Sequence, residues 1–207
     1  MTGVQTCALP ILDGEPFFNL CGTGFEAVVA ADFERGGERG GQRGFLGYGR
    51  RVLRLWRGHR PVGVEWDAQP APPPAPGTVR ERLRRAAAGP EPGLPDEAWS
   101  LCFANLPQFG SGFWIAPGAS PVDGVLQWAR LLRPGWLDVP TELPAFFKEG
   151  GHTRLREEGR LVRAVLRLDR PLPWHLDGEP GAERDRADLR VEAGAFRMQV
   201  TAGCPWS

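Results

Sequence analysis

Two strand-like segments near the end of the chain, separated by an Asp-Gly turn, constrain the fold more than any other feature. Residues 161–168 and 189–200 are rich in apolar residues, and residues 177–181 between them read Asp-Gly-Glu-Pro-Gly. β-Branched and aromatic residues in short runs are typical of strands, and Asp-Gly is a strong signal for a tight turn between strands. The sequence therefore predicts two strands that flank this turn.

Several other segments also predict strands. Residues 61–67 alternate between apolar and polar side chains, and residues 17–21 and 100–105 are short apolar runs typical of buried strands. Residues 125–132 fit a strand or a helix equally well, because periodicity alone does not separate the two in a short apolar run. The chain is predicted to be a β-rich domain of the α+β class with a few short helices.

Three helices and one insertion complete the predicted elements. Apolar residues at helical spacing predict an amphipathic helix over residues 45–57, and its arginines fall largely outside the apolar face. We expect these arginines to contact solvent; contact with an acidic membrane surface is the less favoured alternative. A capping-box pattern predicts a second helix over residues 78–88, and residues 140–149 predict a third. Residues 68–76 are nearly all Ala and Pro, which favours extended chain over packing, so residues 68–96 are predicted to be a surface insertion.

Composition excludes several classes of protein. The 207 residues carry 25 basic and 25 acidic side chains, and this balance gives no electrostatic reason to expect a nucleic-acid partner. The four cysteines include no C-x-x-C pair, so a zinc ribbon or a disulfide framework is not expected. No apolar run approaches the roughly 18 to 20 residues of a membrane-spanning helix. We expect a cytoplasmic protein, in peripheral contact with the membrane at most.

Residues 1–11 do not resemble ordinary protein sequence. They read Met-Thr-Gly-Val-Gln-Thr-Cys-Ala-Leu-Pro-Ile, which is similar to the translation of a common short-read sequencing adapter. They also lack the basic and continuous apolar regions of a signal peptide. We expect residues 1–11 to be an adapter-derived artefact, with the native sequence beginning at Leu12 and the part before it missing. A genuine polar terminus is the alternative.

The first group of residues that could carry chemistry lies at the Asp-Gly turn. Alternation along a strand would place His175, Asp177 and Glu179 on one side, so that two carboxylates converge there. Paired carboxylates suit acid–base chemistry. A simple hairpin turn is the plainer interpretation of the same residues.

Two loops form the second and third groups. Asp123 lies in the tight loop at residues 116–125, where a carboxylate beside free backbone carbonyls suits Mg²⁺ or Ca²⁺. Residues 105–113, beginning at Asn105, form a glycine-containing loop after a predicted strand, as do many loops that contact phosphate or substrate. Each pattern taken alone also fits an ordinary turn.

Taken together and in order, these segments resemble the C-terminal domain of the diacylglycerol kinase-like lipid kinases, a superfamily that includes sphingosine and ceramide kinases. The resemblance covers residues 17–200, apart from the insertion. The matching segments are Phe-Asn-Leu-Cys-Gly-Thr-Gly-Phe-Glu-Ala at 18–27, Ala-Asn at 104–105 with the glycines up to 112, Ile-Ala-Pro at 115–117, Asp-Gly-Val-Leu at 123–126, Asp-Gly-Glu at 177–179 and Val-Glu-Ala-Gly-Ala-Phe at 191–196.

The resemblance implies a two-domain enzyme of which this chain holds one part. In that family a doubly wound N-terminal domain carries a G-G-D-G-T nucleotide-binding motif, and a β-sandwich-like C-terminal domain closes the lipid cleft. No G-G-D-G-T occurs in this sequence. Residues 12–207 are thus expected to be the C-terminal domain, and the absent N-terminal domain is its expected partner. ATP is the expected co-substrate and a diacylglycerol-like lipid the expected substrate. The resemblance leaves open whether the protein forms a homodimer. The chain by itself is expected to be inactive.

The resemblance also implies roles for individual residues. Asp177 matches the proton acceptor that takes the proton from the primary hydroxyl of the lipid, and Glu179 would lie toward the nucleotide. Asp123 matches the Mg²⁺-binding aspartate, with the backbone carbonyls of Ser120 and Val125 as companion ligands.

Departures from the family pattern leave other functions open. Glu26 stands in place of an aspartate, Leu106 in place of a glycine, and Ser111 interrupts a glycine triplet. The last two restrict the freedom of the loop backbone. The alternatives are a non-catalytic lipid- or partner-binding β-domain and a NAD kinase-like enzyme.

Overall fold

The computed structural model describes residues 2–37, 45–72, 93–110 and 112–201. Strands dominate this part of the chain, and all their pairings are antiparallel. The strands are β1 (Thr2–Leu12), β2 (Glu15–Pro16), β3 (Leu20–Gly24), β4 (Val62–Pro70), β5 (Glu97–Ala98), β6 (Ser100–Ala104), β7 (Leu126–Leu131), β8 (Arg156–Leu176) and β9 (Glu179–Thr201). The helices are α1 (Phe25–Gly37), α2 (Phe45–Gly58), α3 (Asp138–Glu142) and a 3₁₀ helix (Leu143–Phe147).

Strand β8 organises the sheet, whose order is β2-β1-β9-β8-β3-β6-β7. The first third of β8 pairs with β7, its middle pairs with β4, and its last residues pair with β3. Strand β9 pairs along much of the other edge. Because β7 and β3 contact opposite ends of β8 and are joined through β6, the sheet folds back on itself around a core. The α+β, β-rich, β-sandwich-like fold that the sequence predicts is confirmed.

A 21-residue strand cannot stay regular while it bends around a core. The register between β8 and β9 shifts between Arg167 and Leu172, and again between Pro173 and His175. Proline donates no hydrogen bond to a ladder, so it is tolerated at such irregular positions. The bend aims the last residues of β8 toward β3, where the turn after β8 meets the segment before β3.

Two hydrophobic clusters fill the interior. The larger is built from β3, β4, β6, β7, β8 and β9 around the buried rings of Phe103, Trp128 and Trp174. The smaller contains Leu20 and Cys102 and is covered by Phe109 and Phe113. Burying side chains of this size provides the main favourable contribution to folding.

The helices lie beside the sheet. Helix α1 starts where Gly24 ends β3 with a φ of +103°, a conformation that glycine adopts readily. An ion pair between Asp32 of α1 and Arg51 of α2 joins the two helices. None of the helices in the described residues is both long enough and apolar enough to cross a bilayer.

Residues 1–11 contribute an element of the sheet. Strand β1 pairs with β9 from Thr2 opposite Thr201 to Leu12 opposite Leu189, with a bulge between Cys7 and Leu9. Cys7, Ala8, Ile11 and Leu12 of β1 are buried. The structure thus gives this segment a place in the fold, and its adapter origin stays a prediction.

Several predicted element boundaries change. The strand expected at residues 17–21 occupies Leu20–Gly24, and the ambiguous segment 125–132 contains strand β7. The insertion was predicted to start at residue 68, but residues 68–70 belong to β4 and pair with β8, so this boundary lies after residue 70. The helix predicted over residues 78–88 and the substitution at Ser111 lie outside the described residues. Helix α1 was not predicted.

Candidate active site

The β8–β9 hairpin places Asp177 at its tip. Leu176 pairs with Glu179, which leaves Asp177 and Gly178 as a two-residue turn. Their φ angles are +52° and +93°, and two positive values are what a type I′ turn requires. Aspartate is among the few non-glycine residues that tolerate this region.

The Asp177 carboxylate is fixed by the segment that precedes β3. Its Oδ2 accepts the Phe18 N–H at 2.8 Å, and its Oδ1 accepts the N–H groups of Asn19 and Leu20 at 2.8 and 3.0 Å. The Asp177 N–H donates to the Leu20 carbonyl at 2.8 Å. An ionised carboxylate offers about four lone-pair sites, so one site on Oδ2 remains for a further donor.

The negative charge of Asp177 is not cancelled by an ion pair with any described residue. The side chain lies at the surface, and its three amide donors are neutral. Burial raises the pKa of the neighbouring Cys21 thiol well above its usual range, and the charge of Asp177 acts in the same direction. The turn therefore presents an oriented, uncompensated carboxylate with a free acceptor site.

Asn105 positions the amides that hold Asp177. Asn105 is 2% exposed, and its Nδ2 donates to the carbonyls of Phe18 at 3.0 Å and Ala8 at 3.4 Å. The Asn105 N–H donates to the Asn19 carbonyl at 2.8 Å. The loop after β6, which the sequence predicted to contact phosphate or substrate, thus contacts the segment 18–19 and positions Asp177 through it.

The predicted grouping of His175, Asp177 and Glu179 on one side is wrong. Strand β8 ends at Leu176, and the positive φ of Asp177 breaks the alternation that the prediction assumed. His175 is buried beneath Phe109, while Asp177 and Glu179 are exposed. Glu179 pairs with Leu176 at the start of β9.

The Asp123 loop lies beside β1 and β9. Asp123 Oδ1 accepts the Val125 N–H at 3.0 Å, and its Oδ2 lies 3.3 Å from Nη2 of Arg160. Gly124 has a φ of +69°, and a Cβ there would lie 2.9 Å from the Cβ of Ala193. Asp123 remains exposed, so it suits a hard cation only if the metal replaces Arg160 on Oδ2. Ser120 and Val125 flank this carboxylate on the same loop.

The glycine-containing loop folds on itself. Gly110 and Gly112 have φ angles of +50° and +77°. The Phe109 N–H donates to the Phe113 carbonyl at 2.7 Å, and the Phe113 N–H donates to the Gly110 carbonyl at 2.9 Å. These amides are already bonded, so they are not available to cradle a phosphate.

Sequence reasoning missed one cluster of chemically active groups. Glu26, Cys102 and His175 bring a carboxylate, a thiol and an imidazole within 4.8 Å of one another. Burial raises the pKa of the Cys102 thiol well above its usual range, and the charge of Glu26 acts in the same direction. Only the strand register, which no local pattern reveals, brings Cys102 and His175 together.

The fold is similar to that of solved kinase structures. No family model matches the chain, and no curated protein matches it. Three structures from Bacillus anthracis str. Sterne match: one named a diacylglycerol kinase, at 13% identity and a TM-score of 0.54, and two candidate diacylglycerol kinases, at 15% identity and TM-scores of 0.56 and 0.52. The matches cover 97% of this chain and 55%, 57% and 56% of theirs. The chain thus shares the β-rich fold of part of these proteins and spans little more than half of their length.

Proposed function

We propose that this chain is the C-terminal part of an ATP-dependent lipid kinase that phosphorylates the primary hydroxyl of a diacylglycerol-like lipid. The observation that supports this most is the Asp177 carboxylate, held by three backbone amides with an acceptor site free on Oδ2. The similarity in fold to proteins named diacylglycerol kinases agrees with it.

In this proposal Asp177 is the general base. The lipid hydroxyl donates its hydrogen bond to the free site on Oδ2, and its proton passes to Asp177 as the oxygen attacks the γ-phosphoryl group of ATP. Phosphoryl transfer depends mainly on positioning and charge stabilisation, so a rigidly oriented carboxylate is the contribution expected from this domain. Because the amides fix both oxygens, the base needs no rearrangement before proton transfer.

The remaining roles are assigned to Glu179 and to the loop that contains Asp123. Glu179 faces the nucleotide, which the N-terminal domain would bind. The backbone carbonyls of Ser120 and Val125 and the carboxylate of Asp123 would hold Mg²⁺ if Arg160 left Asp123, and the ion would supply positive charge near this loop. Without a nucleotide-binding domain, the chain by itself is proposed to leave ATP unhydrolysed.

Contact with a membrane surface is part of the proposal. Trp136 and Leu137, 58% and 82% exposed, precede α3. The guanidinium of Arg57 lies 5.7 Å from the Trp136 ring, and that of Arg133 lies 5.3 Å from the ring of Trp56. Exposed apolar side chains beside arginines suit an anionic bilayer.

Leu137→Asp is expected to reduce sedimentation of the protein with anionic vesicles. Neutral vesicles are expected to bind both the unmodified protein and the variant weakly. Equal sedimentation of the two proteins would contradict the contact.

A substrate comparison tests the kinase proposal. The coding sequence upstream of Leu12 is re-read, and the chain is expressed both alone and with that upstream part. Both proteins receive radiolabelled ATP with diacylglycerol, sphingosine or NAD. We expect labelled phosphatidic acid from the longer protein alone. Labelled NADP would favour the NAD kinase-like alternative, and no product with any acceptor would favour a non-catalytic β-domain.

A further inference from the structure

His175, Gly22 and Cys102 lie side by side on three adjacent strands. Gly22 of β3 pairs with His175 of β8 on one side and with Cys102 of β6 on the other. Residues directly opposite each other in an antiparallel sheet point to the same face. The imidazole and the thiol therefore extend over the glycine, and Glu26 enters the same space from the first turn of α1.

Glycine at position 22 creates the space in which these groups meet. A Cβ there would lie 2.8 Å from Glu26 Oε1 and 2.9 Å from His175 Nε2. Contacts that short are not tolerated between these atoms, so any other residue would displace the cluster. The resulting notch is bounded by a carboxylate, a thiol and an imidazole.

Two of the three spacings in this cluster match a tetrahedral metal site, and all three ligand atoms lie within 4.8 Å of one another. Bonds of about 2.0–2.3 Å to nitrogen, oxygen and sulfur place tetrahedral ligand atoms about 3.3–3.8 Å apart. Glu26 Oε1 lies 3.5 Å from Cys102 Sγ and 3.7 Å from His175 Nε2. Small movements would thus bring all three atoms around one ion.

The cluster also contains buried polar atoms that lack a partner. His175 is 1% exposed, and neither of its ring nitrogens has a hydrogen-bond partner among the described residues. Glu26 Oε2 is buried and likewise unpaired. Such atoms cost stability unless something binds them, and Glu26 Oε1 lies 3.7 Å from His175 Nε2, beyond hydrogen-bond distance. A cation bound between the three groups would give these atoms a partner.

We propose that Glu26, Cys102 and His175 bind Zn²⁺. Imidazole, thiolate and carboxylate are the three ligand types that zinc accepts. One thiolate and one carboxylate balance the charge of the ion, which lowers the cost of burying it. Three protein ligands leave the fourth position to water or to a small exogenous ligand. The ligands come from α1, β6 and β8 and meet over Gly22 of β3, and the site is independent of the proposed kinase activity.

Metal titration of the untagged, chelator-treated 207-residue chain tests this site. Co²⁺ is added as a spectroscopic probe, and Zn²⁺ affinity is measured by competition with a chromogenic chelator. We expect one equivalent of Co²⁺ to give a thiolate-to-cobalt charge-transfer band that Zn²⁺ abolishes. Cys102→Ser is expected to remove the band and weaken Zn²⁺ binding by more than about 100-fold, because loss of a residue that only orients a ligand already costs about 10- to 100-fold.

Two further variants make the result decisive. Glu26→Gln keeps the size of the side chain and removes its charge, so it is expected to fold, by circular dichroism, and to bind Zn²⁺ more weakly. Cys21→Ser is the matched control, since Cys21 is also fully buried on β3 but is not in the cluster; it should keep the cobalt band. No band from the unmodified chain, or a band that survives Cys102→Ser, would overturn the proposal.

Discussion

Two turns of this protein are built from the same dipeptide in nearly the same conformation. Asp13 and Gly14 join β1 to β2 with φ angles of +50° and +91°, and Asp177 and Gly178 join β8 to β9 with +52° and +93°. Both aspartates use their carboxylates to accept backbone amides from a distant segment. The turns differ in what else those carboxylates contact.

Asp13 is neutralised, whereas Asp177 is not. Asp13 Oδ1 accepts the Asp188 N–H at 2.8 Å, and its Oδ2 pairs with Nη1 of Arg184 at 2.6 Å. Asp177 receives three neutral amides and, within the described part of the chain, no cation. The contacts of Asp13 tie the β1–β2 turn to strand β9. The contacts of Asp177 orient its carboxylate and leave the charge without a cationic partner among the described residues. The same Asp-Gly turn therefore has a structural role at Asp13 and presents a candidate base at Asp177.

The largest difference is expected in catalysis. In the longer protein of the proposed kinase assay, Asp177→Asn should lower kcat by about 10²- to 10⁴-fold, the usual scale for removing a general base. Asn retains an acceptor oxygen for part of the amide network but cannot take a proton. The measurement is initial rate of lipid phosphorylation at saturating ATP and lipid.

Asp13→Asn is the matched control for that experiment. It changes the same residue type at the same turn position and should leave kcat within about twofold. If Asp177→Asn loses less than about tenfold, or if both variants lose activity equally, the two turns have equivalent roles and Asp177 is not the base.

The elements predicted correctly are those with a local signature. The strand at residues 100–105 and the amphipathic helix at 45–57 follow from the spacing of apolar residues, and the structure has β6 and α2 there. Turn residues at 177–178 follow from Asp-Gly chemistry. Helix α1 was missed because the apolar residues after Gly24 do not form a strong helical stripe.

The site depended on contacts that span the chain. The bonds from Phe18, Asn19 and Leu20 to Asp177 join residues 157 to 159 positions apart, and no local pattern indicates which amides a carboxylate will reach. The prediction that His175 and Asp177 lie on the same side is wrong, because strand β8 ends before Asp177 and the positive φ of Asp177 breaks the alternation of side chains. The Glu26, Cys102 and His175 cluster required the register of three strands, which is set by global pairing. The family resemblance only predicts a role for Asp177, while the structure shows which amides orient its carboxylate.

Stability should separate the two aspartates next. In the 207-residue chain, Asp177→Ala leaves three amides without their acceptor and is expected to lower the free energy of unfolding by about 2–3 kcal/mol. Asp13→Ala loses one amide bond and one ion pair, so about 1–2 kcal/mol is expected. Urea denaturation followed by circular dichroism measures both. A larger loss for Asp13→Ala would reverse the order that the contacts predict.

The two turn glycines should behave alike. Gly14 and Gly178 both have positive φ angles, and a Cβ at either position would meet no atom of the described residues within 4 Å. The only cost of alanine is therefore backbone strain, which is about 1 kcal/mol in each case. Urea denaturation of Gly14→Ala and Gly178→Ala should give equal midpoint shifts. Unequal shifts would mean that the turns differ in backbone as well as in side-chain contacts.

The smallest effect tests whether the cation at Asp13 matters at all. Arg184→Gln removes the charge opposite Asp13 and makes that turn resemble the one at Asp177. The pair is partly exposed, with 17% of the Arg184 and 33% of the Asp13 side chain accessible, and such pairs contribute about 0.2–1 kcal/mol. A loss of about 0.5 kcal/mol that shrinks in high salt is expected from urea denaturation. A salt-independent loss above about 2 kcal/mol would show that Arg184 supports the sheet by packing, and the contrast between the turns would then no longer rest on charge.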